Sequence, residues 1–444
     1  MKAVIMAGGK GTRIASINTK VPKPMINICE KPVLEYQIEC LKKQNILEII
    51  LVIGYMGYVI EDYFGNGETL GVHINYIKEE YPLGTAGALY YLKEIITEDF
   101  LLINGDIIYD INIKRFIDAH RKNRALATIL THPNSHPYDS GIIIAGQDGK
   151  VSKWLTKEEK REWYKNRVNA GIHILSSELL ERFESPQKKD LDRDVLKPLI
   201  LEDQLYIYDS PEYIKDMGTP ERLYEVEKDI KSGMIAKRNL SLKQKAVFLD
   251  RDGTINKYVG FLNRIEDFIL LEGAAEAIRL INQSGYLAIV ITNQPVIARG
   301  EISWEQLTEI HNKMETLLGN VGAYVDDIFC CPHHPDKGFE GEREEYKIEC
   351  DCRKPKPGML LKAAQKYNID LNESWIIGDS MNDIKAGQNA GCKVAYLGKS
   401  ETENIPSYKN LLECVLNIFS NNGGNGIGGR NKYVSKKISP TGKL

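Results

Sequence analysis

The sequence predicts an α/β protein of two domains, because two similar openings lie far apart in one long chain. Each opening is a short apolar strand followed by a polar loop: Ala3–Ala7 runs into Gly8, and Val247–Leu249 runs into Asp250. Ligands bind at such strand ends in open α/β sheets. The length of 444 residues also exceeds the size at which a single hydrophobic core stops growing. We therefore expect two active sites in one polypeptide.

The overall charge and hydropathy exclude several classes of partner. Lys and Arg number 58 against 61 Asp and Glu, so no general attraction to nucleic acid or to an anionic membrane is expected. The apolar run before Gly8 is too short for a signal peptide, and no later segment approaches a membrane span. We expect a cytoplasmic protein that binds small anionic molecules, and the composition leaves its oligomeric state open.

Alternating strand-like and helix-like segments fill residues 1–233, where a parallel sheet gives way beyond Gly141 to a more strand-rich, substrate-side lobe. A polar stretch at 234–244 predicts a linker, and a second alternation fills 245–420. Residues 421–444 are rich in Asn and Gly, then basic, and predict a disordered tail. The predicted helices are Val33–Gln44, Ala86–Ile96, Pro220–Lys231, Ala274–Ser284, Trp304–Leu318, Leu360–Tyr367 and Asp383–Ala390.

The first opening contains the parts of a site for a phosphate-bearing ligand. Glycines let the backbone approach a polyphosphate, and a forked guanidinium and an ammonium add positive charge. Asp106 ends an apolar strand and Asp216 precedes a helix, so two carboxylates are available for one Mg²⁺; a turn and a helix cap are the alternative roles. The phosphate-loop candidates are Gly8, Gly9, Gly11, Thr12, Arg13 and Lys23.

The glycine loop with Thr-Arg, followed by Pro-Lys-Pro at 22–24, resembles the sugar-phosphate nucleotidyltransferases over residues 1–233. The resemblance implies a Rossmann-like domain with a mixed sheet. In it, Arg13 and Lys23 would bind the nucleotide phosphates, and Asp106 and Asp216 would bind Mg²⁺. The residues that it implies for the base and sugar pocket are Gly84, Lys157, Asn169, Ala170 and Gly171.

Two details of this half bear on the substrates. Pro82–Gly87 resembles the branch of the family that uses GTP, which includes mannose 1-phosphate and heptose 1-phosphate guanylyltransferases. Thr156, before Lys157, replaces the Glu that many relatives carry, so the reaction is better defined than the sugar. The expected reaction is in-line attack of a sugar 1-phosphate oxygen on the α-phosphate of the nucleotide, with loss of pyrophosphate.

The second opening carries a pair of aspartates. Asp250 and Asp252 lie two residues apart on an extended segment, so both side chains leave on one face. With Lys354 and the Gly-Asp pair that ends at Asp379, this pattern is similar to the haloacid dehalogenase superfamily. The resemblance implies that Asp250 is the nucleophile, that Asp252 is the general acid and base, and that both join Asp379 in a Mg²⁺ site. The residues that it implies for substrate binding are Thr292, Asn293, Arg353 and Lys354.

Four soft side chains predict a single structural Zn²⁺ in the second half. Cys330 and His334 compete with their neighbours as ligands, and alternation along a strand favours the neighbours; a role without metal stays open. Arg353 and Lys354 follow directly, so the zinc is expected to shape their loop. The predicted ligands are Cys331, His333, Cys350 and Cys352.

The metal-ligand set together with the sequence 353–359 resembles the heptose 1,7-bisphosphate phosphatases across residues 245–400, and histidinol phosphatases share much of it. Pro295-Val296 and Ser380 depart from the Ser-Gly and Lys of many relatives. We expect removal of the 7-phosphate from D-glycero-D-manno-heptose 1,7-bisphosphate, then formation of GDP-heptose for surface polysaccharide. The alternatives are a mannose 1-phosphate guanylyltransferase fused to a histidinol or other sugar phosphatase, and a nucleotide-sensing module on a working phosphatase.

Overall fold

A computed structural model describes residues 1–9, 21–338, 340–399 and 404–421. The predicted tail from 422 onward lies outside these residues. Across the described ranges, every helix is too short or too polar to cross a membrane.

The first half is built on nine strands of one mixed sheet. Its strands, which include those of two small two-stranded sheets (β2 with β3, and β7 with β13), are β1 (Ala3–Met6), β2 (Asn27–Ile28), β3 (Lys31–Pro32), β4 (Glu48–Ile53), β5 (His73–Lys78), β6 (Phe100–Asn104), β7 (Ile107–Asp110), β8 (Ala127–His132), β9 (Ile142–Ala145), β10 (Val151–Leu155), β11 (Val168–Leu175), β12 (Leu205–Asp209) and β13 (Tyr213–Asp216). Its helices are α1 (Val33–Lys43), α2 (Gly57–Phe64), α3 (Ile113–Asn123), α4 (Pro198–Leu201), α5 (Pro220–Lys231) and α6 (Met234–Lys237).

Strand β1 lies in the middle of this sheet, with β4 and β6 parallel to it on either side. Strand β11 pairs antiparallel with β6 and with β8, which makes the sheet mixed, as predicted. Strands β9 and β10 join the same sheet through β11. The strand-rich part beyond Gly141 is therefore an extension of the first sheet.

The second half is a six-stranded parallel sheet. Its strands are β14 (Ala246–Leu249), β15 (Leu287–Asn293), β16 (Asp327–Cys331), β17 (Trp375–Gly378), β18 (Lys393–Leu397) and β19 (Ser407–Tyr408). Its helices are α7 (Ala274–Ser284), α8 (Trp304–Gly319), α9 (Gly358–Tyr367), α10 (Met381–Ala390) and α11 (Leu411–Asn421). The strand order β16-β15-β14-β17-β18-β19 reverses between β14 and β17, and such a reversal opens a crevice at the carboxyl ends of the strands.

The α/β prediction is confirmed, and one predicted helix is wrong in type. Instead of an α-helix over Ala86–Ile96, the chain forms a 3₁₀ helix at Gly87–Leu92. Ala86 offers no capping side chain, and glycine is a poor helix former. A regular α-helix therefore has little to stabilise its first turn at this point.

The predicted linker is packed against both halves. It begins with α6, and Arg238, Leu240 and Gln244 behind it are buried. Arg238 donates to the Pro211 carbonyl in the first half and to Asp326 in the second. The segment 234–244 thus forms part of the contact between the halves, while the domain limits of 1–233 and 245–420 stay predictions.

Candidate active sites

The predicted phosphate loop of the first half begins directly after β1. Gly8 is packed so closely that a Cβ would lie 2.4 Å from a Glu79 carboxylate oxygen and 3.2 Å from the Gly54 nitrogen. The space around Gly9 is open. The remaining predicted loop residues, Gly11, Thr12 and Arg13, lie outside the described residues.

The two aspartates predicted to bind Mg²⁺ are neighbours along the backbone of two paired strands. Strands β7 and β13 pair so that Asp216 is opposite Ile107, and the Met217 N–H donates to the Asp106 carbonyl at 3.0 Å. Each carboxylate faces a cation, because Lys23 forms an ion pair with Asp106 and Arg222 donates to both Asp216 oxygens at 2.6 and 2.7 Å. The structure therefore brings together Lys23, Asp106 and Asp216.

The pKa of Asp216 is set by this contact. Burial acts to raise it, but the ion pair with Arg222 and the Gly218 N–H lower it below its ordinary value. The carboxylate is consequently held in its ionised form, which is the form that a divalent cation requires.

Close backbone packing fixes the predicted base and sugar loops. Gly171 has a φ of +74°, and a Cβ there would lie 2.6 Å from the Asn104 side-chain nitrogen. Gly84 has a φ of +77°, and its Cβ would lie 2.4 Å from the Lys189 carbonyl oxygen. Both positions need glycine for conformation and for space. Gly171 thus packs against the strand that leads to Asp106.

Asp192 belongs to this region although the sequence did not single it out. Asn169 donates to Asp192 at 3.3 Å and accepts from the Gly171 N–H at 2.9 Å. Asp192 lies in a π-helix at Leu191–Leu196, a rare element that is frequent at functional sites. Burial raises the pKa of Asp192 to about 6. The alternating acids at positions 190, 192 and 194 are the sequence signal that could have indicated it.

Lys157 lies apart from these groups. Its ammonium is exposed and sits 4.0 Å from Glu158, and among the described residues it forms no ion pair with Asp106 or Asp216. It lines an open cavity of about 310 Å³, and Thr316 and Asn320 of the second half line the same cavity. The predicted sugar contact is therefore not brought to the acid pair.

The second half gathers its predicted residues at the crevice between β14 and β17. Asp250 follows β14 and Asp379 follows β17, and one oxygen of each lies within 4.8 Å of an oxygen of Asp383. Gly253 has a φ of +83°, and a Cβ there would lie 1.9 Å from an Asp379 oxygen. Three oxygen ligands of this kind fit Mg²⁺. Asp383, which caps α10, was not among the predicted ligands.

A buried lysine offsets part of the negative charge of this group. The Lys354 ammonium donates to Asp250 at 2.7 Å and contacts Asp383 at 2.5 Å. Burial raises the pKa of Asp250 to about 7 and that of Asp379 to about 6. Burial acts to lower the pKa of Lys354, but the ion pairs with Asp250 and Asp383 raise it to about 12. Lys354 therefore stays charged while it contacts the predicted nucleophile.

Asp252 lies outside this carboxylate group. Its oxygens accept from Arg251 at 2.8 Å, from Gln294 at 2.7 Å and from Asn256 at 2.9 Å. Although burial acts to raise it, these donors lower the pKa of Asp252. The side chain of Asp252 is therefore held by donors of the protein rather than beside the other predicted Mg²⁺ ligands. Arg251 in turn contacts His311 of α8 at 3.2 Å.

Thr292 and Asn293 connect this site to the loop that carries Lys354. Asn293 accepts from the Lys354 N–H at 3.0 Å and donates to its carbonyl at 3.1 Å. The Thr292 hydroxyl accepts from Gln294 at 2.8 Å, and Gln294 also holds Asp252. Thr292 and Asn293, the two predicted phosphate-binding residues, therefore hold the Gln294 side chain and the Lys354 backbone in place.

The predicted zinc ligands form one compact cluster. The Cys352 sulfur lies 3.1 Å from that of Cys331 and 3.3 Å from that of Cys350, and His333 Nδ1 lies 3.3 and 3.7 Å from Cys352 and Cys331. Ligands around one tetrahedral zinc ion would be about 3.5 to 3.8 Å apart, so the four side chains fit this metal. Arg353 donates to the His333 carbonyl at 3.1 Å, which ties the cluster to the Lys354 loop.

The two competing side chains lie outside that cluster. Cys330 packs at the edge of the hydrophobic core, and His334 accepts from the Asp336 N–H at 3.2 Å. Cys331 therefore belongs to the cluster and its neighbour Cys330 does not, as the alternation along the strand predicted.

The chain was compared with known families and proteins. The Nucleotidyl transferase family model matches residues 2–233, and a HAD-hydrolase-like model matches residues 351–409. The D-glycero-beta-D-manno-heptose-1,7-bisphosphate 7-phosphatase of Pasteurella multocida is 41% identical over 180 residues, which are 39% of this chain and 95% of that protein. The 7-phosphatase of Escherichia coli K12 is 37% identical over 39% of this chain and 90% of its own length.

A solved structure resembles the first half. HddC from Yersinia pseudotuberculosis is 27% identical in sequence, covers 52% of this chain and 99% of its own, and has a TM-score of 0.46.

Proposed function

The chain belongs to the nucleotidyl transferase family through its first half and to the D-glycero-beta-D-manno-heptose-1,7-bisphosphate 7-phosphatases through its second, and we propose that it catalyses two consecutive steps. The second half removes the 7-phosphate of D-glycero-D-manno-heptose 1,7-bisphosphate. The first half joins the resulting heptose 1-phosphate to GMP from GTP and releases pyrophosphate. The observation that carries the proposal is the contact of Lys354 with Asp250 beside two further carboxylates at the crevice of the second sheet.

In the phosphatase step, Asp250 attacks phosphorus, the bond from phosphorus to the sugar oxygen breaks, and an aspartyl phosphate forms. Asp252 gives its proton to the departing oxygen and later takes one from the water that hydrolyses the aspartyl phosphate. The anionic substrate arriving beside Asp252 raises its pKa, which supplies the protonated form. Lys354 binds the phosphoryl oxygens as the charge moves off Asp250.

Asp250, Asp379 and Asp383 are the residues that would hold Mg²⁺. When bound, the ion would offset the charge of the carboxylates and of the phosphoryl oxygens. The cluster of Cys331, His333, Cys350 and Cys352 would hold Zn²⁺. Its role is structural, because the contact from Arg353 to the His333 carbonyl connects it to the loop rather than to the reacting carboxylates.

In the transferase step, the protein supplies position and charge rather than a covalent intermediate. Lys23, and Arg13 by resemblance, bind the nucleotide phosphates. Asp106 and Asp216, whose backbones are neighbours where β7 begins and β13 ends, would hold the Mg²⁺ of this site. The choice of GTP is supported by the resemblance of Pro82–Gly87 to the branch that uses it.

The two steps are chemically consecutive, since removal of the 7-phosphate leaves the 1-phosphate that the transferase needs. The test is to incubate the purified full chain with GTP and heptose 1,7-bisphosphate, and to measure phosphate release and GDP-heptose by mass spectrometry. Mannose 1-phosphate and histidinol phosphate serve as comparison substrates. The proposal fails if mannose 1-phosphate is converted while no GDP-heptose forms, or if histidinol phosphate is the better phosphatase substrate.

A further inference from the structure

A buried arginine of the first half is held by the second half. Arg167 is 1% exposed, and its guanidinium donates to Asp209 at 2.6 Å within its own half. Its other nitrogens donate to the Glu315 carboxylate at 3.2 Å and to the Asp326 carbonyl at 2.8 Å. Two of these acceptors belong to the phosphatase half, so the position of Arg167 depends on Glu315 of helix α8 and on Asp326, directly before strand β16.

Residues near the carboxyl end of α8 also bind the backbone just before Arg167. Glu315, which is 2% exposed, accepts from the Asn166 N–H at 3.0 Å. The Thr316 hydroxyl accepts from the Tyr164 N–H at 3.0 Å and lies 3.2 Å from the Tyr164 carbonyl as a donor. Side chains of α8 therefore satisfy backbone groups of Tyr164 and Asn166, while the Arg167 carbonyl accepts from the Ile143 N–H of β9.

This segment leads directly into the predicted base and sugar pocket of the transferase. Strand β11 begins at Val168, and Asn169 and Gly171 follow within four residues of Arg167. Val168 and Asn169 pair with His132 and Thr131 of β8, and the pairing with β8 then shifts register between Asn169 and His173. The contacts from α8 hold the segment that lies directly before this paired start.

We propose that Glu315, assisted by Thr316, is a positioning residue for nucleotidyl transfer, so that the phosphatase half holds the strand that carries the transferase pocket. The inference rests on the proposed transferase function. A buried ion pair is weak as a source of stability, because well-packed apolar residues in its place are often neutral or stabilising. Fixing one conformation of residues 164–169 is the role that the geometry supports.

The test uses the full chain carrying Glu315→Gln or, separately, Thr316→Val. Each change keeps the size of the side chain and removes a charge or a hydroxyl that contacts residues 164–167. The expected result is a rise of roughly tenfold to a hundredfold in the KM for the sugar 1-phosphate, because small displacements of binding groups have effects of this size. The kcat and KM of the phosphatase stay unchanged.

A control variant separates positioning from general loosening. Glu309→Gln removes an exposed carboxylate from the same helix and leaves the transferase KM unchanged. A wild-type KM in Thr316→Val and in any folded Glu315→Gln protein overturns the inference. A parallel loss of both activities together with a lower melting temperature also overturns it, since that is the signature of a structural role alone.

The assay uses whichever nucleotide and sugar 1-phosphate the wild-type chain turns over. Failure of GTP or of heptose 1-phosphate as a substrate therefore counts against the proposed function, while the KM comparison between variants still decides the role of Glu315.

Discussion

The two candidate sites differ in how far their charged groups are removed from water. In the phosphatase half the side chains of Lys354, Asp250 and Asp383 are 3%, 13% and 0% exposed. In the transferase half Lys23 and Asp106 are 14% and 37% exposed, and Arg222 and Asp216 are 20% and 43% exposed. The first set is an enclosed group of ion pairs, whereas the second is open to a large ligand.

This difference follows from the chemistry that each site is proposed to perform. A carboxylate that attacks phosphorus benefits from a desolvated position beside a fixed cation. A site that joins a nucleotide to a sugar phosphate has to admit two large substrates, so its charges stay accessible until they bind. The enclosed site is consequently expected to respond most sharply to single substitutions.

The largest expected effect is at the enclosed nucleophile. Asp250→Asn should lower phosphatase kcat by a factor on the order of 10⁴ or more, because the attacking oxygen loses its charge. Transferase activity on heptose 1-phosphate should stay unchanged, which makes it the internal control. Loss of both activities would contradict the existence of two separate sites.

A smaller effect is expected at the open site. Asp106→Asn should lower transferase kcat by a factor on the order of 10² to 10³, because one charged ligand for the metal is removed. Phosphate release should continue at the wild-type rate. The matched control is Asp118→Asn, which changes an exposed aspartate of α3 and should affect neither activity. An active Asp106→Asn transferase would exclude this residue from the site.

Substitution in the proposed zinc cluster tests whether the enclosed site depends on its supporting loop. Cys352→Ser should lower the zinc content of the protein, measured by mass spectrometry. It should also reduce phosphatase kcat/KM by roughly tenfold to a hundredfold, which is the usual size of effects that act through supporting residues of a metal site. Cys330→Ser, which changes the neighbouring cysteine outside the cluster, is the control. Equal zinc loss in both variants would refute the ligand assignment.

The smallest effect concerns the donors around Asp252. Gln294→Met removes one of them, so the pKa of Asp252 should rise, and the alkaline limb of the phosphatase pH profile should move to higher pH. The maximal rate should fall by about tenfold or less, since the remaining donors still hold the general acid. A profile that falls at the same pH as in the wild-type enzyme would argue against Asp252 as the acid.

The sequence could predict that Asp250 and Asp379 lie at one crevice because both follow strand ends, whereas it did not indicate Asp383 as a ligand. Asp250 comes directly after β14 and Asp379 directly after β17, and the carboxyl ends of parallel strands meet at one crevice. The spacing of the cysteines also predicted which of two neighbours joins the cluster, since alternation along β16 directs Cys331 and Cys330 to opposite faces.

Contacts between distant segments could not be predicted in the same way. Glu315 lies 148 residues from Arg167 in the chain, and its partner depends on how the two halves dock. Asp192 is in a π-helix, a rare element that the 3.6-residue hydrophobic period of an α-helix does not indicate. The segment 234–244 was predicted to be a linker because of its polar composition. Its Arg238 is buried by partners in both halves, which are distant in the sequence and could not be predicted from it.

The most direct test of the central claim is a coupled assay with the Asp250→Asn chain. With GTP and heptose 1,7-bisphosphate, this variant should form no GDP-heptose, whereas with GTP and heptose 1-phosphate it should form GDP-heptose at the wild-type rate. Formation of a nucleotide sugar from the bisphosphate without release of phosphate would contradict the order of the two steps.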